Sequence, residues 1–324
     1  MKGVCLGVPK KEDYPVFRRA VEEILPAAGY DTLVILIRYQ FQFRRQPGVA
    51  PANALTPAQA KEIAALCRRK KIRLIPKMNL LGHQSGKKRG TEDGLLKAHP
   101  EFDETPDLDA VRYCRSLCPR HPEVKRVVCD LIDDMLDGFG ADGFHVGCDE
   151  VFEIGHCPRC QGASTAVLFA DWINALHGHI VGKRGVEMLM WSDRLLDGQA
   201  TGFGEWEASM NGTFPAVDMI PKDIICCDWH YGDRPEYPSV PYLTGKGFRT
   251  VVCPWRDVKA TQALVAFAGT VRSDKMFGVL QTSWCDSGNV CRALLGEATS
   301  GDEYAPQVAA SFKVVADSTV RRGG

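Results

Sequence analysis

Two adjacent carboxylates follow a short β-prone segment in the stretch Gly143-Phe144-His145-Val146-Gly147-Cys148-Asp149-Glu150. The apolar run from Gly143 to Val146 predicts a buried strand, which ends at Gly147. In parallel α/β folds, the loops that follow such strands carry most of the functional residues. Asp149 and Glu150 are therefore candidate catalytic residues, although a pair that caps the next helix or faces solvent would have the same sequence.

Eight β-like runs occur along the chain, most of them separated by helical or loop segments. This alternation over one domain-sized length predicts a parallel sheet, and eight units predict a closed barrel. We therefore expect an α/β fold, a (β/α)8 TIM barrel that occupies residues 1–324 as a single domain. The predicted strands are Gly3–Val8, Thr32–Tyr39, Arg73–Asn79, Gly143–Val146, Glu187–Trp191, Ile224–Trp229, Thr250–Pro254 and Gly278–Ser283.

Three helices and one long loop are indicated between these strands. Apolar residues from Val124 to Leu136 follow the i, i+3, i+4, i+7 spacing of an amphipathic helix. Thr56 and Pro57 provide an N-cap and a first-turn proline for a second helix, and Val167–Val181 forms a third. The segment 81–120, rich in glycine, proline and charge, predicts a loop that shapes a substrate site.

The composition indicates a globular protein without a strong charge field. Of its 324 residues, 45% are hydrophobic and 25% are charged, which is ordinary for a soluble domain. Lysine plus arginine and aspartate plus glutamate number 40 each, so no net charge favours nucleic acid or a membrane as a partner. The sequence also has no apolar run of about 18 residues, the length that a membrane-spanning helix requires.

The start of the chain and its cysteines favour a reducing compartment. The apolar stretch after Met1 is too short for a signal peptide and lacks a cleavage pattern. The cysteine count, 13, is odd and argues against a fully paired set of disulfides. We expect reduced thiols and a cytoplasmic location, unless a signal segment has been trimmed from the chain.

A carboxylate pair at a strand end suits glycoside hydrolysis, where one group donates a proton and the other stays ionised. Beyond this pair, the chain resembles the catalytic domain of family 20 glycoside hydrolases, the β-N-acetylhexosaminidases. The resemblance covers roughly strands three to eight. It rests on His145-x-Gly147-x-Asp149-Glu150, Leu117-Cys118-Pro119, Ile75-Pro76, Gly82-His83 and the late tryptophans Trp191, Trp229 and Trp284.

The resemblance implies hydrolysis of a terminal β-linked N-acetylhexosamine from an oligosaccharide or glycoconjugate. In that family the substrate's own acetamido group attacks the anomeric carbon, so retention needs no enzyme nucleophile. Glu150 is then the acid and base, Asp149 orients the acetamido group, and neither a cofactor nor a metal is expected. The implied substrate-binding residues are His83, His145, Trp191, Trp229, Tyr231, Trp255, Asp257, Trp284, Asp286, Lys2 and Arg38.

Several positions differ from the family pattern. Lys2 stands where family members have an arginine that hydrogen-bonds sugar hydroxyls. A lysine cannot donate two parallel hydrogen bonds to such hydroxyls as an arginine can. Arg38, Tyr39 and Gln40 stand where the family has acidic residues after strand two. Trp255-Arg256-Asp257 lacks the usual tyrosine, whose hydroxyl Tyr231 could supply, and strand eight ends in Trp284-Cys285-Asp286 with a shorter acid than usual. These differences imply a divergent branch, with the choice between GlcNAc and GalNAc left open.

His156-Cys157-Pro158-Arg159-Cys160 has the Cys-x-x-Cys spacing of a zinc knuckle or a redox pair. One knuckle supplies two of the roughly four ligands that a structural zinc needs. His156, Cys148 or Cys118 could complete the set, but the spacing does not select among them. Reduced packing cysteines are the default interpretation of Cys157 and Cys160.

Two further carboxylates belong to predicted loops at the top of the barrel. Glu207 follows Trp206, and Asp193 follows Trp191 by two residues. Either could hydrogen-bond a sugar hydroxyl, and a surface role is equally compatible with the sequence.

Two other functions compete with the glycosidase hypothesis. A sugar-binding protein that kept the barrel but lost efficient catalysis would explain the missing arginine and tyrosine. A metal-dependent barrel hydrolase would use Asp149, Glu150, His83 and His145 as ligands. The sequence does not indicate the linkage, the aglycone, a sulfate requirement or the oligomeric state.

Overall fold

A closed parallel barrel forms the centre of the computed structural model, which describes residues 1–318. The eight strands pair in chain order, and β8 returns to pair with β1 through Lys2 and Val279. This topology confirms the predicted (β/α)8 barrel. The strands are β1 Lys2–Gly7, β2 Thr32–Leu36, β3 Arg73–Lys77, β4 Gly143–His145, β5 Glu187–Trp191, β6 Ile225–Trp229, β7 Arg249–Cys253 and β8 Met276–Gln281.

Several strands end earlier than the sequence predicts. The prediction for β5 matches its observed bounds, whereas β2 ends at Leu36 rather than at Tyr39. Arg38 has a φ of 48°, and this left-handed conformation interrupts an extended strand. The shorter strands leave the residues that follow them free to turn towards the barrel axis.

Helices and short turns surround the barrel on its outer side. Single turns of other helix types occur at Lys11–Asp13, Ala20–Ile24, Pro100–Phe102, Gly178–Lys183, Asp193–Leu195 and Phe214–Asp218. The α-helices are α1 Tyr14–Arg19, α2 Leu25–Ala27, α3 Pro57–Arg69, α4 Gly94–Ala98, α5 Val124–Phe139, α6 Thr165–His177, α7 Gly198–Thr201, α8 Gly204–Glu207, α9 Ser239–Gly245, α10 Val258–Thr270, α11 Ser287–Leu294 and α12 Tyr304–Asp317.

The three predicted helices are present, with local signals that explain their bounds. Thr56 and Gln59 form a reciprocal capping box at the start of α3. Gly140 adopts a φ of 58° and ends α5 three residues beyond the predicted Leu136. The third helix, α6, starts at Thr165 and continues as the widened turn Gly178–Lys183.

Two apolar layers stabilise the barrel. The outer layer lies between the strands and the helices, and the inner layer fills the barrel interior. Cys226 belongs to the outer layer and Cys227 to the inner one, because successive side chains of a strand point to opposite faces. The inner layer continues towards the carboxyl ends of the strands through Trp191 and Trp229, where the packing opens into a cavity.

Candidate active site

The segment after β4 is fixed by hydrogen bonds on both sides. The Leu80 amide donates to the Val146 carbonyl at 3.0 Å, and the Trp191 amide donates to the Gly147 carbonyl at 3.1 Å. Gly147 has a φ of 68°, and a Cβ at this position would lie 1.8 Å from Asn79 Oδ1. Glycine is therefore required here, and it directs the chain into the carboxylate pair.

Strained backbone is concentrated at this end of the barrel. Cys148 and Glu150 have φ values of 65° and 50°, and His83 and Arg38 have values of 58° and 48°. Residues other than glycine rarely adopt this conformation, which costs free energy that the surrounding structure must offset. The left-handed turns at Cys148 and Glu150 help to set the direction in which the two neighbouring carboxylates point.

His83 bridges the two predicted catalytic carboxylates. Its Nε2 lies 3.2 Å from Asp149 Oδ2 and 3.0 Å from Glu150 Oε2. Asp149 and Glu150 expose only 13% and 14% of their side chains, so both acids are largely removed from water. The backbone amide of His83 donates to Cys114 Sγ at 3.2 Å, which anchors the backbone that carries this ring.

The electrostatics of this group favour an ion pair. Burial alone would raise the pKa of Asp149, but the charges of His83 and Lys77 outweigh it and hold that pKa well below its usual range. Burial would likewise lower the pKa of His83, yet Asp149 and Glu150 raise it to about 9. Asp149 is therefore ionised and His83 protonated at neutral pH. Among the described residues, Asp149 Oδ1 is buried without a hydrogen-bond partner.

Lys77 is a second buried cation beside the acids. It is 2% exposed, and its Nζ donates to Asn79 Oδ1 at 3.0 Å. The same Nζ lies 5.2 Å and 5.7 Å from the ring centroids of Trp191 and Trp284. Burial lowers the pKa of Lys77, and the charge of Asp149 opposes that shift. The lysine thus partly balances the charge of Asp149 from within the barrel.

Asp193 fixes the backbone of Glu150. Its Oδ2 accepts from the Glu150 amide at 2.9 Å and from Arg194 Nε at 2.7 Å. The carboxylate is buried, and burial raises its pKa to about 6. Asp193 is therefore a positioning residue for the loop that bears Glu150.

Aromatic side chains line one wall of the cavity. Trp284 Nε1 donates to the Tyr231 hydroxyl at 2.7 Å, and the Trp191 and Trp284 rings lie 5.9 Å apart at 68°. Tyr231 also contacts Trp229 and Trp255, with ring centroids 5.0 Å and 5.4 Å away. Such rings suit the apolar face of a sugar and the methyl of an N-acetyl group.

The rim of the cavity is aromatic as well, but exposed. Trp206 and Tyr113 are 43% and 40% exposed and meet edge to face with centroids 5.2 Å apart. Tyr113 also contacts the His83 ring at 5.6 Å. Glu207 lies beside them, accepting from His230 Nδ1 at 2.6 Å and from Arg234 Nη2 at 3.4 Å.

The cavity has a volume of about 1020 Å³ and opens at the carboxyl ends of the strands. It brings together most of the residues that the sequence analysis selected as site candidates. Those that line it are Arg38, His83, Asp149, Glu150, Trp191, Trp229, Tyr231, Trp255 and Trp284.

Two predicted substrate ligands lie away from this cavity. Lys2 begins β1 at the opposite end of the barrel, where its Nζ donates to the carbonyls of Ala316 and Ser318 at 2.6 Å and 3.2 Å. His145 is fully buried behind Trp191, with ring centroids 4.5 Å apart. Their placement contradicts a direct sugar contact for both residues. Lys2 lies at the amino-terminal end of the strands, opposite the cavity, and Trp191 separates His145 from the cavity.

Asp257 and Asp286 are helix caps rather than cavity residues. Asp257 Oδ1 accepts from the Ala260 amide at 2.8 Å and caps α10. Asp286 Oδ1 accepts from the Asn289 amide at 2.9 Å and caps α11. Because the first turn of a helix leaves amides without partners, both carboxylates satisfy the backbone. Neither residue lines the cavity, so their placement does not fit the predicted sugar contacts.

The arrangement weakens the case for a metal-dependent hydrolase. Ligand atoms of His83, Asp149 and Glu150 lie within 4.8 Å of one another and could approach one ion. A metal at His83 would compete with the proton that Asp149 and Glu150 favour on its ring. His145, the remaining ligand of that hypothesis, accepts from the Gly147 amide through Nδ1 at 3.0 Å.

Sequence reasoning missed Lys77, Asn79 and Tyr113 as cavity residues. Lys77 carried a usable signal, because a lysine within an apolar strand is rarely buried unless it is paired. Asn79 and Tyr113 carried no such signal in the sequence, because their positions depend on the path of the chain after β3. Glu207 lines the cavity, and Asp193 is buried behind Glu150, so neither is a simple surface carboxylate.

An eight-stranded α/β barrel with paired acids and an aromatic wall at its mouth is the architecture of barrel glycoside hydrolases. The family model for the catalytic domain of glycosyl hydrolase family 20 matches residues 38–265. This match covers β3 to β7 and includes the Asp149–Glu150 pair. The chain therefore belongs to glycosyl hydrolase family 20.

Named relatives agree with this assignment at low identity. The chain is 28% identical to a beta-hexosaminidase of Akkermansia muciniphila over 45% of its own length and 30% of that protein. It is 28% identical to Hexosaminidase D of Bos taurus over 59% of its own length and 54% of that protein. The matches thus span about half or less of these relatives.

Solved structures with the same fold include a family-20 chitobiase and Dispersin B. A chitobiase from Flavobacterium johnsoniae superimposes with a TM-score of 0.70 at 15% identity, over 97% of this chain and 48% of that one. Dispersin B superimposes with a TM-score of 0.58 at 16% identity, over 98% of both chains. These similarities establish the fold. Within residues 1–318, no helix combines the length and apolarity needed to cross a membrane.

Proposed function

We propose that this chain hydrolyses terminal β-linked N-acetylhexosamine by a retaining, substrate-assisted mechanism. The observation that carries the proposal is the convergence of Asp149 and Glu150 on one histidine at the aromatic-walled cavity. Two adjacent acids can fill the two roles that this chemistry needs, one as a charged group and one as a proton donor. Membership of family 20 supports the same reaction.

In the first step, the acetamido carbonyl oxygen of the bound sugar attacks its own anomeric carbon. Glu150 gives its proton to the departing glycosidic oxygen, so the aglycone leaves as an alcohol. The ring that forms is an oxazolinium ion. Asp149 accepts the acetamido N–H and stabilises the positive charge that develops there.

In the second step, water attacks the anomeric carbon from the face that the aglycone left. Glu150, now a carboxylate, takes the proton of this water, and the oxazolinium ring opens to restore the acetamido group. Two inversions give net retention. His83 Nε2 lies within 3.2 Å of both carboxylates, and its charge keeps Asp149 ionised.

Trp191, Trp229 and Trp284 support a sugar ring that enters with its apolar face against the wall. Tyr231 receives its hydrogen bond from Trp284 and is the candidate hydroxyl for the acetamido oxygen. At the rim, Trp206 and Tyr113 offer exposed aromatic surface to the aglycone. Because the named relatives are hexosaminidases without a stated epimer, both GlcNAc and GalNAc are proposed substrates.

A panel of nitrophenyl β-glycosides tests this proposal. We expect release of nitrophenol from the GlcNAc or GalNAc glycoside, or from both, and none from the glucoside and galactoside, which lack the internal nucleophile. A thiazoline mimic of the intermediate should inhibit competitively. Binding of N-acetyl sugars without turnover over long incubation would instead identify a sugar-binding barrel and overturn the proposal.

A further inference from the structure

Three cysteines and one glutamate meet in a buried cluster away from the sugar cavity. Ligand atoms of Glu104, Cys118, Cys157 and Cys160 all lie within 4.8 Å of one another, and all four residues are buried. Glu104 and Cys118 belong to the long segment between α4 and α5. Cys157 and Cys160 belong to the loop between β4 and α6, which also carries Glu150.

The spacing of the sulfur atoms suits a single thiolate-bound ion. Cys118 Sγ lies 3.3 Å from Cys157 Sγ and 3.7 Å from Cys160 Sγ. Zinc–sulfur bonds of about 2.3 Å in tetrahedral geometry place the sulfur atoms about 3.8 Å apart. The three thiols are therefore already close to the separation that one zinc ion would impose.

Glu104 can supply a fourth ligand, because only one of its two carboxylate oxygens is hydrogen-bonded within residues 1–318. Its Oε1 accepts from the amides of Gly155 and His156 at 2.7 Å and 3.0 Å. Its Oε2 is buried and has no hydrogen-bond partner among the described residues. A buried carboxylate oxygen without a partner costs free energy, and a cation bound by the three sulfurs would remove that cost.

The local backbone presents the two knuckle cysteines together. The amides of Cys160 and Gln161 both donate to the Cys157 carbonyl, at 2.9 Å and 2.8 Å, so the chain turns tightly between the thiols. The other residues considered from the sequence do not join the cluster. Cys148 Sγ lies 3.5 Å from the Val146 carbonyl, and His156 Nε2 lies 3.2 Å from Glu153.

We propose that Cys118, Cys157, Cys160 and Glu104 bind one structural zinc ion. Four protein ligands fill a tetrahedral shell and leave no open position, so the site is not catalytic. Three sulfurs and one carboxylate suit zinc and disfavour magnesium or calcium, which require oxygen ligands. The ion would join the loop after β3 to the loop after β4, and so hold the segment that follows Glu150.

Elemental analysis of the purified 324-residue chain tests the site. We expect about one zinc per chain, and loss of that zinc in Cys160→Ser and in Glu104→Gln. Gln can still accept from the Gly155 and His156 amides but presents an amide nitrogen in place of the second oxygen. Cys67→Ser is the matched control, because Cys67 is an equally buried residue of α3 that lies outside the cluster. It should retain the zinc.

Cobalt substitution tests the site in the wild-type chain, so the result does not depend on whether the cysteine and glutamate variants fold. The wild-type chain, stripped of metal and reloaded with Co²⁺, should show a sulfur-to-cobalt charge-transfer band. Removal of the metal by a chelator should lower Tm by at least about 5 °C, because binding energy at such a site is folding energy. Absence of zinc both as purified and after reloading would overturn the proposal. A disulfide among the three cysteines in the mass of the unreduced protein would also overturn it.

The metal measurement and the glycosidase assay can fail separately. Zinc content does not depend on turnover, and the proposed hydrolysis routes no step through the ion. A chain that binds zinc but hydrolyses nothing would refute only the proposed function. A chain that hydrolyses N-acetylhexosaminides without zinc would refute only the structural site.

Discussion

Carboxylates occupy both ends of this barrel, but they are paired in opposite ways. At the base, Glu187 begins β5 between two arginines, with Arg73 at 2.7 Å and Arg249 on the other side. At the mouth, Asp149 and Glu150 share one histidine. Glu187 is 35% exposed, whereas the two mouth acids expose 13% and 14% of their side chains.

The contrast distinguishes the ion pairs of Glu187, which stabilise the fold, from the Asp149–Glu150 group that we propose takes part in the reaction. Burial would raise the pKa of Glu187, but Arg249 and Arg73 outweigh this effect and lower that pKa, so the Glu187 carboxylate is fully paired. At the mouth, Asp149 and Glu150 share His83, with Lys77 as a second nearby cation, and within residues 1–318 Asp149 Oδ1 is buried without a hydrogen-bond partner. Incomplete pairing of buried charges marks a functional site more specifically than the charges themselves.

Glu150→Gln should have the largest effect on activity. Glutamine keeps the shape of the side chain but can neither donate nor accept the catalytic proton. We expect kcat on a nitrophenyl N-acetyl-β-hexosaminide to fall about 1,000-fold, as for loss of a general acid. The matched control is Glu187→Gln at the base, which should change kcat less than about twofold because distant sites act independently. Equal losses in both variants would contradict the assignment.

Asp149→Asn should have the second-largest effect. Asparagine can still hydrogen-bond the acetamido group but lacks the charge that stabilises the oxazolinium ion. We expect kcat to fall about 100-fold, the loss typical of one electrostatic contact in a transition state. Affinity for a thiazoline inhibitor should fall in parallel with kcat. A variant that raised only KM would show that Asp149 acts in ground-state binding alone.

His83→Gln should flatten the alkaline part of the pH–stability profile. The pKa of His83 rises from 6.5 to about 9 on folding, so the folded state holds this proton more tightly than the unfolded state. The resulting stabilisation is complete below pH 6.5 and is lost as the pH rises through about 9. We expect the free energy of unfolding of the wild type to fall over this window more than that of the variant.

His230 requires a control in that experiment. Burial would lower the pKa of His230, but Asp228 and Glu207 raise it to about 9, so it titrates in the same window. The informative quantity is the difference between the wild-type and His83→Gln curves in urea unfolding at each pH. Parallel curves would show that His83 carries no extra proton in the folded state.

Glu187→Gln should have the smallest effect, on stability alone. Because Glu187 is partly exposed and its ion pairs are screened by water, we expect a loss of about 1 kcal/mol in the free energy of unfolding. Added salt should reduce the difference between variant and wild type. Urea unfolding at low and high salt measures both effects. A loss that salt does not change would indicate a packing role for this residue.

Much of the barrel was predictable because strand periodicity and helix signals act locally. The runs around Ile75, Phe144 and Leu189 alternate with helices that carry their own caps, such as the Thr56–Gln59 box. Strand ends were less predictable. The left-handed turn at Arg38 arises from the loop geometry around it, which no local signal encodes.

The position of the Asp149–Glu150 pair at the cavity was predictable, whereas only part of the predicted sugar-binding set lines that cavity. Asp149 and Glu150 follow directly from the end of β4, and the late tryptophans follow from strand ends. Lys2, Asp257 and Asp286 were misplaced because alignment by pattern does not show which way a side chain points. Two of them are helix caps, whose Asp-x-x spacing before α10 and α11 could have been recognised from the sequence.

The buried cysteine–glutamate cluster needed the tertiary structure. The Cys-x-x-Cys spacing identifies Cys157 and Cys160 as candidate ligands. Cys118 and Glu104 precede them by about 40 and 50 residues on another loop. Only the packing of the two loops brings the four ligand atoms together.

Substrate assistance is tested most directly by nitrophenyl N-acetyl-β-hexosaminides whose acetamido methyl carries zero, one, two or three fluorine atoms. Fluorine withdraws electrons from the carbonyl oxygen and weakens it as a nucleophile, while the sugar and the leaving group stay the same. The mechanism predicts that kcat/KM falls steeply with each added fluorine. A rate that is insensitive to fluorination would contradict attack by the acetamido oxygen.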